Sequence, residues 1–209
     1  MALFKDRFDA GNQLAAVLLK KNNYKYDLVL ALPRGGTPVA FEIAKKLNLP
    51  LDVFIVRKLG VPGYEELAMG AIASGGVCLV NDEMISELNI SQDALQAVID
   101  KELKELERRE STYRSNKNKA LFKMKNIIVV DDGIATGASM KAAVLALKKH
   151  EPASITIAIP VAEASSLNEL KPLVNDIVYI LVPDIFYGVG QCYASFPQLT
   201  DQEVCKLLR

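Results

Sequence analysis

Residues Asn126 to Met140 read NIIVVDDGIATGASM. Four apolar β-branched residues, Ile127 to Val130, are followed by two carboxylates, Asp131 and Asp132, and then by a loop of small residues and hydroxyls, Gly133 to Ser139. Beyond the loop Met140, Ala143, Val144 and Leu147 recur at helical spacing. The stretch reads as a buried strand, an acidic turn, a small-residue loop and a helix. Such a loop is a prepared anion site. The unpaired N–H groups and the dipole of the helix N-terminus face it, and small residues admit a phosphate to them. The two acids repel phosphate, so they address another part of the ligand. Sugar hydroxyls suit them, because ionised carboxylates only accept hydrogen bonds. Two rival motifs fail. A P-loop requires Lys and then Ser or Thr after its last Gly, where Ala138 and Ser139 stand, and an aspartate-nucleophile phosphatase requires Asp-x-Asp, where Val130 holds the first place.

The rest of the composition narrows the chemistry further. The chain has 209 residues, half of them apolar, and a formal net charge of zero. These values predict one soluble domain over residues 1–209 with a sizeable core, and no field that favours nucleic acid or membrane. No apolar stretch reaches membrane-spanning length and no secretory signal is recognisable, which predicts a cytoplasmic protein. Cys78, Cys192 and Cys205 are scattered and read as reduced thiols. The sole histidine, His150, follows Lys148 and Lys149 at an expected helix end, where positive charge suits the dipole. Ser-His-Asp and Cys-His chemistry are thereby excluded.

The central stretch resembles the 5-phosphoribosyl-1-pyrophosphate (PRPP) signature of type I phosphoribosyltransferases. That signature is an apolar strand, two acids, two apolar residues, and then Ala/Thr-Thr-Gly-Gly-Thr/Ser. Gly133 stands for a usual larger apolar residue and Ala138 for a usual second Gly; neither change removes a backbone N–H. The resemblance implies that Ala135, Thr136, Gly137, Ala138 and Ser139 hold the 5-phosphate. It also implies that Asp131 and Asp132 hold the ribose hydroxyls and favour a developing cation, and that Mg²⁺ accompanies PRPP.

Working outward, residues 3 to 21 read as a helix ending near Asn22 and Asn23, and Asp27 to Leu32 as a strand. Pro33 to Gly36 form a tight loop, with Thr37 as N-cap and Pro38 at the first helical position. Val39, Ile43 and Leu47 give the inner face of that helix, and Leu51 to Val56 the next, parallel strand. A glycine pair and an arginine after a strand form a second anion loop, similar to the family's pyrophosphate loop. Arg34 and Gly35, with Arg57 and Lys58 at the next strand end, are the residues this implies for pyrophosphate.

Residues 59–80, rich in glycine, contain a predicted hairpin of Ala68–Ala73 and Val77–Val80, at the position of the family's flexible lid. Ser91 caps a long charged helix over 91–114, with Leu95, Val98, Ile99, Leu103 and Leu106 on one side; it either lies solvated on the core or makes a homodimer contact. Ile155, Ile157 and Ile159 mark a strand ending at Pro160, and Ile177 to Val182 the last core strand. In the tail, residues 183–209, Phe186, Tyr187, Tyr193 and Phe196 crowd an aromatic-poor chain before a final helix, Asp201 to Leu208. The family places a small hood over the sheet. The tail is read as part of it, with Phe186 or Tyr187 stacking on a planar acceptor.

Alternating strands and helices predict a doubly wound α/β fold with a mainly parallel sheet. The implied reaction moves 5-phosphoribose from PRPP to a nitrogen heterocycle and releases pyrophosphate, a step of nucleotide metabolism. A regulatory module that senses PRPP or nucleotides without turnover is the second reading. A hydrolase of phosphoribosyl compounds is the third.

Overall fold

The computed structural model describes residues 3–21, 25–113 and 121–209. In chain order the helices and strands are α1 (Arg7–Lys20), β1 (Leu28–Ala31), α2 (Gly36–Leu47), β2 (Leu51–Val53), β3 (Val56–Val61), β4 (Tyr64–Ala73), β5 (Val77–Val80), α3 (Asp82–Glu87), α4 (Gln92–Tyr113), β6 (Asn126–Val130), α5 (Ala138–Lys148), β7 (Ser154–Val161), α6 (Ala164–Leu170), β8 (Asp176–Leu181) and α7 (Asp201–Leu207). Asn22, Asn23 and Arg114 lie outside the described residues.

Five strands form a parallel sheet in the order β2-β1-β6-β7-β8. Their near-continuous Ile, Val, Leu and Ala runs suit a sheet covered on both faces. Alternate residues serve opposite layers. Leu28, Leu30, Ile127, Val129, Ile155 and Ile157 pack with Met140, Ala143, Val144 and Leu147 of α5. Val29, Ala31, Ile128 and Val130 pack with Leu14 and Leu18 of α1, Val39 and Ile43 of α2, Leu106 of α4 and Val204 of α7. From β1 the chain moves to β2 on one side and later to β6 on the other. The β1–β6 boundary is therefore the topological switch point, and a crevice opens beyond the carboxyl ends of those two strands.

Several local expectations are corrected. The strand expected over Leu51–Val56 stops at Val53; the chain passes through Phe54 and Ile55 and enters a second sheet, antiparallel β3-β4-β5. The expected hairpin is present, with Ala73 opposite Val77 and Gly70 opposite Val80. Its partner β3 is masked in the sequence by Gly60, Pro62 and Gly63, which mark register shifts and a turn between two strands rather than a loop. Leu59, Val61 and Met69 of this sheet are buried in the same cluster as Leu95 and Leu106 of α4. Ser91 caps α4 as expected, its hydroxyl accepting from the Ala94 N–H at 3.2 Å, whereas Leu103 points outward at 37% exposure. The helix after the Pro-Arg-Gly-Gly loop begins at Gly36 with Gly35 as its N-cap, two residues before the expected Thr37 cap. His150 does not cap α5 with its ring, which packs edge-on against Phe122 at 5.2 Å. Among the described residues no helix is long and apolar enough to cross a membrane.

Candidate functional site

Two loops meet at the switch point. The first, Leu32 to Gly36, leaves β1 and contains a cis Pro33–Arg34 peptide. Its backbone runs so close to the acidic turn that a β-carbon on Gly35 would lie 2.0 Å from Asp132 Oδ2. Only glycine lets the two loops share the crevice. Arg34 sits with a guanidinium nitrogen 3.9 Å from Asp201 at the start of α7.

The second loop leaves β6 with the two acids. The Asp132 N–H donates to Asp131 Oδ1 at 2.8 Å. The Asp132 carboxylate accepts from Arg7 Nε at 2.7 Å, and its carbonyl accepts from the Tyr193 hydroxyl at 2.5 Å. Arg7 is held in turn. It donates to the Pro197 carbonyl at 2.8 Å and its guanidinium lies 3.7 Å over the Phe196 ring, with a side chain 9% exposed. The Tyr193 ring stands between Phe196, at 4.9 Å, and Phe4, at 5.2 Å. Arg7 on the carboxylate and Tyr193 on the backbone carbonyl thus clasp one residue, Asp132. The Leu3 and Phe4 N–H groups bond the Cys192 carbonyl, and the Ala194 N–H bonds the Phe4 carbonyl.

The electrostatics of the pair are uneven. Burial, and then the neighbouring Asp132 charge, push the Asp131 carboxyl well above the usual carboxylate range. Burial also raises Asp132, but the Arg7 guanidinium opposes it. Asp132 is paired directly with a cation, whereas Asp131 accepts from the Asp132 N–H and feels Arg7 only at longer range, so each has a different environment for accepting a ligand hydroxyl or a proton.

Beyond the acids the loop is tied to β7. Ile134 donates to the Val161 carbonyl at 2.9 Å, its own carbonyl accepts from the Glu163 N–H at 2.9 Å, and the Ser166 hydroxyl donates to the Ala135 carbonyl at 2.5 Å. The backbone N–H groups of Ala135 to Met140 meet no acceptor among the described residues. These free donors precede and open α5, whose positive dipole end they share. Gly133, where the family signature has a larger residue, is explained by the tail. A β-carbon there would meet Val189 at 2.5 Å and Val161 at 2.8 Å. Val189 fills the space that an apolar side chain on the loop would otherwise take.

The structure brings Asp131, Asp132, Gly35 and Ala135 to Ser139 into one crevice and places the other sequence-derived residues around it differently. Arg57 and Lys58 stand on β3, in the second sheet. Arg57 is paired with Glu102 of α4 at 2.6 Å and Lys58 with Glu66 at 3.5 Å. Phe186 is half-buried against the cluster of Phe4, Val161, Cys192 and Tyr193, whereas Tyr187 is 88% exposed. Sequence reasoning misses Arg7, which stands in a helix 125 positions from its partner. It also gives Tyr193 no contact, although the aromatic crowding of the tail is the available signal. Among the described residues no group of three or more His, Cys, Asp or Glu side chains could hold a metal ion. The two carboxylates are a donor set that suits Mg²⁺ only together with a ligand's phosphates.

Comparison with known proteins places this geometry. Residues 4–194 match the family model described as a phosphoribosyl transferase domain. A protein of Mycobacterium tuberculosis, known by the provisional name of phosphoribosyl transferase, is 42% identical over 208 residues. The match takes in 100% of this chain and 47% of that protein, so the chain spans about half the length of the curated relatives it matches. The crystal structure of TT1426 from Thermus thermophilus superposes with a TM-score of 0.88 at 36% identity, covering 100% of this chain and 98% of that one. A purine phosphoribosyltransferase from Pyrococcus horikoshii shares the fold, with a TM-score of 0.50 at 16% identity over 92% of this chain and 94% of its own.

Proposed function

The chain belongs to the phosphoribosyl transferase family, and on that premise we propose that it transfers 5-phosphoribose from PRPP to a nitrogen heterocycle with release of pyrophosphate. The observation that carries this reading is the run of free N–H groups from Ala135 to Met140 directly beside the unevenly charged pair Asp131 and Asp132. A phosphate seated on Ala135, Thr136, Gly137, Ala138 and Ser139 leaves the attached ribose facing the carboxylates. Asp132, oriented by Arg7, accepts from a ribose hydroxyl, and Asp131 accepts from the other.

As the bond from C1 to pyrophosphate breaks, the ring gains positive charge, as in glycosidase transition states. The negative charge beside it grows more favourable at that moment. The nucleophile's nitrogen forms the new bond at C1, and pyrophosphate leaves with the electron pair of the old one. Mg²⁺ bound with PRPP supplies neutralisation of the phosphates. Gly35 is set directly against Asp132, and Arg34 precedes it in the same loop. Arg57 and Lys58 would have to leave Glu102 and Glu66 to join them. The exposed tip of the second sheet, Pro62 to Ala68, is the part of segment 59–80 suited to close over the site and exclude water.

Calorimetry with PRPP and Mg²⁺ tests the site. Gly137 has φ +73° and a β-carbon there would lie 3.3 Å from Ser166, so Val at this position distorts the cradle without entering the core. The Thr136→Val plus Gly137→Val variant should lose about ten- to a hundredfold in affinity, the worth of one or two charge-assisted hydrogen bonds, while keeping its fold. Unchanged affinity would remove the 5-phosphate from this loop. Turnover on a panel of bases then separates an enzyme from a sensor, and pyrophosphate release without a base would mark a hydrolase.

The acceptor reading is sharpened by exposure. Tyr187 offers an exposed ring beyond β8, whereas Phe186 is committed to the cluster of Phe4, Val161, Cys192 and Tyr193. Tyr187→Ala should lower kcat/KM for the acceptor by about tenfold, in keeping with about 1–3 kcal/mol for base–aromatic stacking. Phe186→Ala should act mainly through stability. Equal kcat/KM in wild type and Tyr187→Ala would assign acceptor recognition to other groups.

A further inference from the structure

The arginine of the pyrophosphate loop already has an anionic partner within the protein. Arg34 lies 3.9 Å from Asp201 Oδ1. Asp201 has two other partners: the Tyr113 hydroxyl donates to Oδ1 at 2.7 Å and Arg108 donates to Oδ2 at 3.4 Å. Tyr113 is buried at the last turn of α4, so it fixes the carboxylate in place. Asp201 is not needed to start α7, because Thr200 and Glu203 form a complete capping box there. Its carboxyl is held below the usual range, chiefly by the Tyr113 hydrogen bond and by Arg108, and is therefore ionised at neutral pH.

Resting on the proposed function above, we propose that Asp201 is a positioning residue for the leaving group. It holds Arg34 in reserve in the free protein, yields it to pyrophosphate when PRPP binds, and reclaims it as pyrophosphate departs. The exchange is feasible because it strands no group. Asp201 keeps Tyr113 and Arg108 when Arg34 leaves, and Arg34 gains an anion carrying more charge than a single carboxylate. Arg34 and Asp201 have side chains 42% and 29% exposed, so their attraction is weak enough for a ligand to overcome. The same design recurs nearby, where Glu102 of α4 holds Arg57 at 2.6 Å. The long helix that carries Tyr113 and Glu102 thus gains a role as the frame that stores leaving-group cations.

The test is calorimetry with inorganic pyrophosphate and Mg²⁺ at low salt, on wild type, Asp201→Asn, Arg34→Gln and the double variant. Asn keeps the acceptor for Tyr113 and removes the charge. Asp201→Asn should bind pyrophosphate about two- to fivefold more tightly, the range expected for releasing an exposed ion pair. Arg34→Gln should bind it more weakly, and the double variant should match Arg34→Gln. Ribose 5-phosphate, which addresses the other loop, should bind all four proteins equally; a merely structural disturbance of α7 would move both ligands. Unchanged or weaker pyrophosphate binding by Asp201→Asn overturns the proposal, as does a tightening that persists without Arg34. Wild-type pyrophosphate binding by Arg34→Gln also overturns it, by removing Arg34 from that subsite. The wider phosphoribosyl reading is judged separately, by whether ribose 5-phosphate binds at all. If Asp201→Asn does not fold, Asp201→Ser, which keeps a small polar residue at the helix start, carries the same expectations.

Discussion

Asp131→Asn is expected to melt higher than the wild type in the absence of ligand and to lose phosphoribosyl transfer. Burial and the charge of Asp132 raise the Asp131 carboxyl in the folded chain. Between the ordinary carboxylate value and that raised value, the folded protein binds more protons than the unfolded one. Folding stability therefore falls as pH rises through that window. Asparagine removes the charge and keeps Oδ1 as acceptor for the Asp132 N–H. The gain should scale with that shift, at about 1.4 kcal/mol for each tenfold weakening of the acid on folding. Each kcal/mol raises Tm by about 2–4 °C for a chain of this size. The two proteins should converge in stability as pH falls to the ordinary carboxylate range. Turnover should drop by about a hundredfold or more, the usual loss when a group that stabilises transition-state charge is neutralised. A less stable Asn variant at neutral pH would show that Asp131 is not penalised in the fold. An active one would remove it from the chemistry.

The second large effect is expected at Arg7. Its guanidinium is the cation that compensates Asp132, and both side chains are mostly buried, 9% and 14% exposed. Arg7→Met keeps an apolar side chain in place of the stem but removes the guanidinium from Phe196 and leaves a buried carboxylate without its partner, a loss of about 3–5 kcal/mol. The destabilisation should be greatest at neutral pH and shrink as the pH falls and Asp132 takes up a proton, because a neutral carboxyl needs no cation. Adding Asp132→Asn should recover much of the lost stability without restoring PRPP binding. Thermal melts of the single and double variants between acidic and neutral pH decide the matter. A pH-independent loss, or no recovery in the double variant, would mean that Arg7 acts by packing alone.

The difference between these residues shows what the sequence discloses. Asp131 to Ser139 are legible because the whole device is local: one strand, one turn and one helix start, adjacent in the chain. The Gly35 and Gly36 pair is legible for the same reason, and the order of strands and helices announces the parallel sheet. Arg7 is not legible. Its pairing spans 125 residues, and a single arginine in the first turn of an amphipathic helix has no periodic signature. Arg57 and Lys58 read as a core strand end because Leu51 to Val56 is apolar apart from Asp52. The chain instead leaves the sheet at Phe54, and no local propensity records which of two sheets a β-rich segment joins. Gly133 reads as a departure from the family signature and becomes intelligible only through Val189, a tertiary neighbour that supplies the missing bulk.

The clasp on Asp132 also bears on folding. The sheet and its helices can form with the acidic turn in place, but Arg7 and Tyr193 reach that turn from 125 and 61 positions away. The sheet itself joins segments as distant, pairing Leu28 with Ile127, so the clasp and the sheet close loops of comparable cost. Until both ends of the chain dock, two neighbouring carboxylates share a turn with no cation between them, so mildly acidic refolding should ease this step by protonating one of them. The acidic turn thus depends for its compensation on two segments that lie outside its own strand and helix.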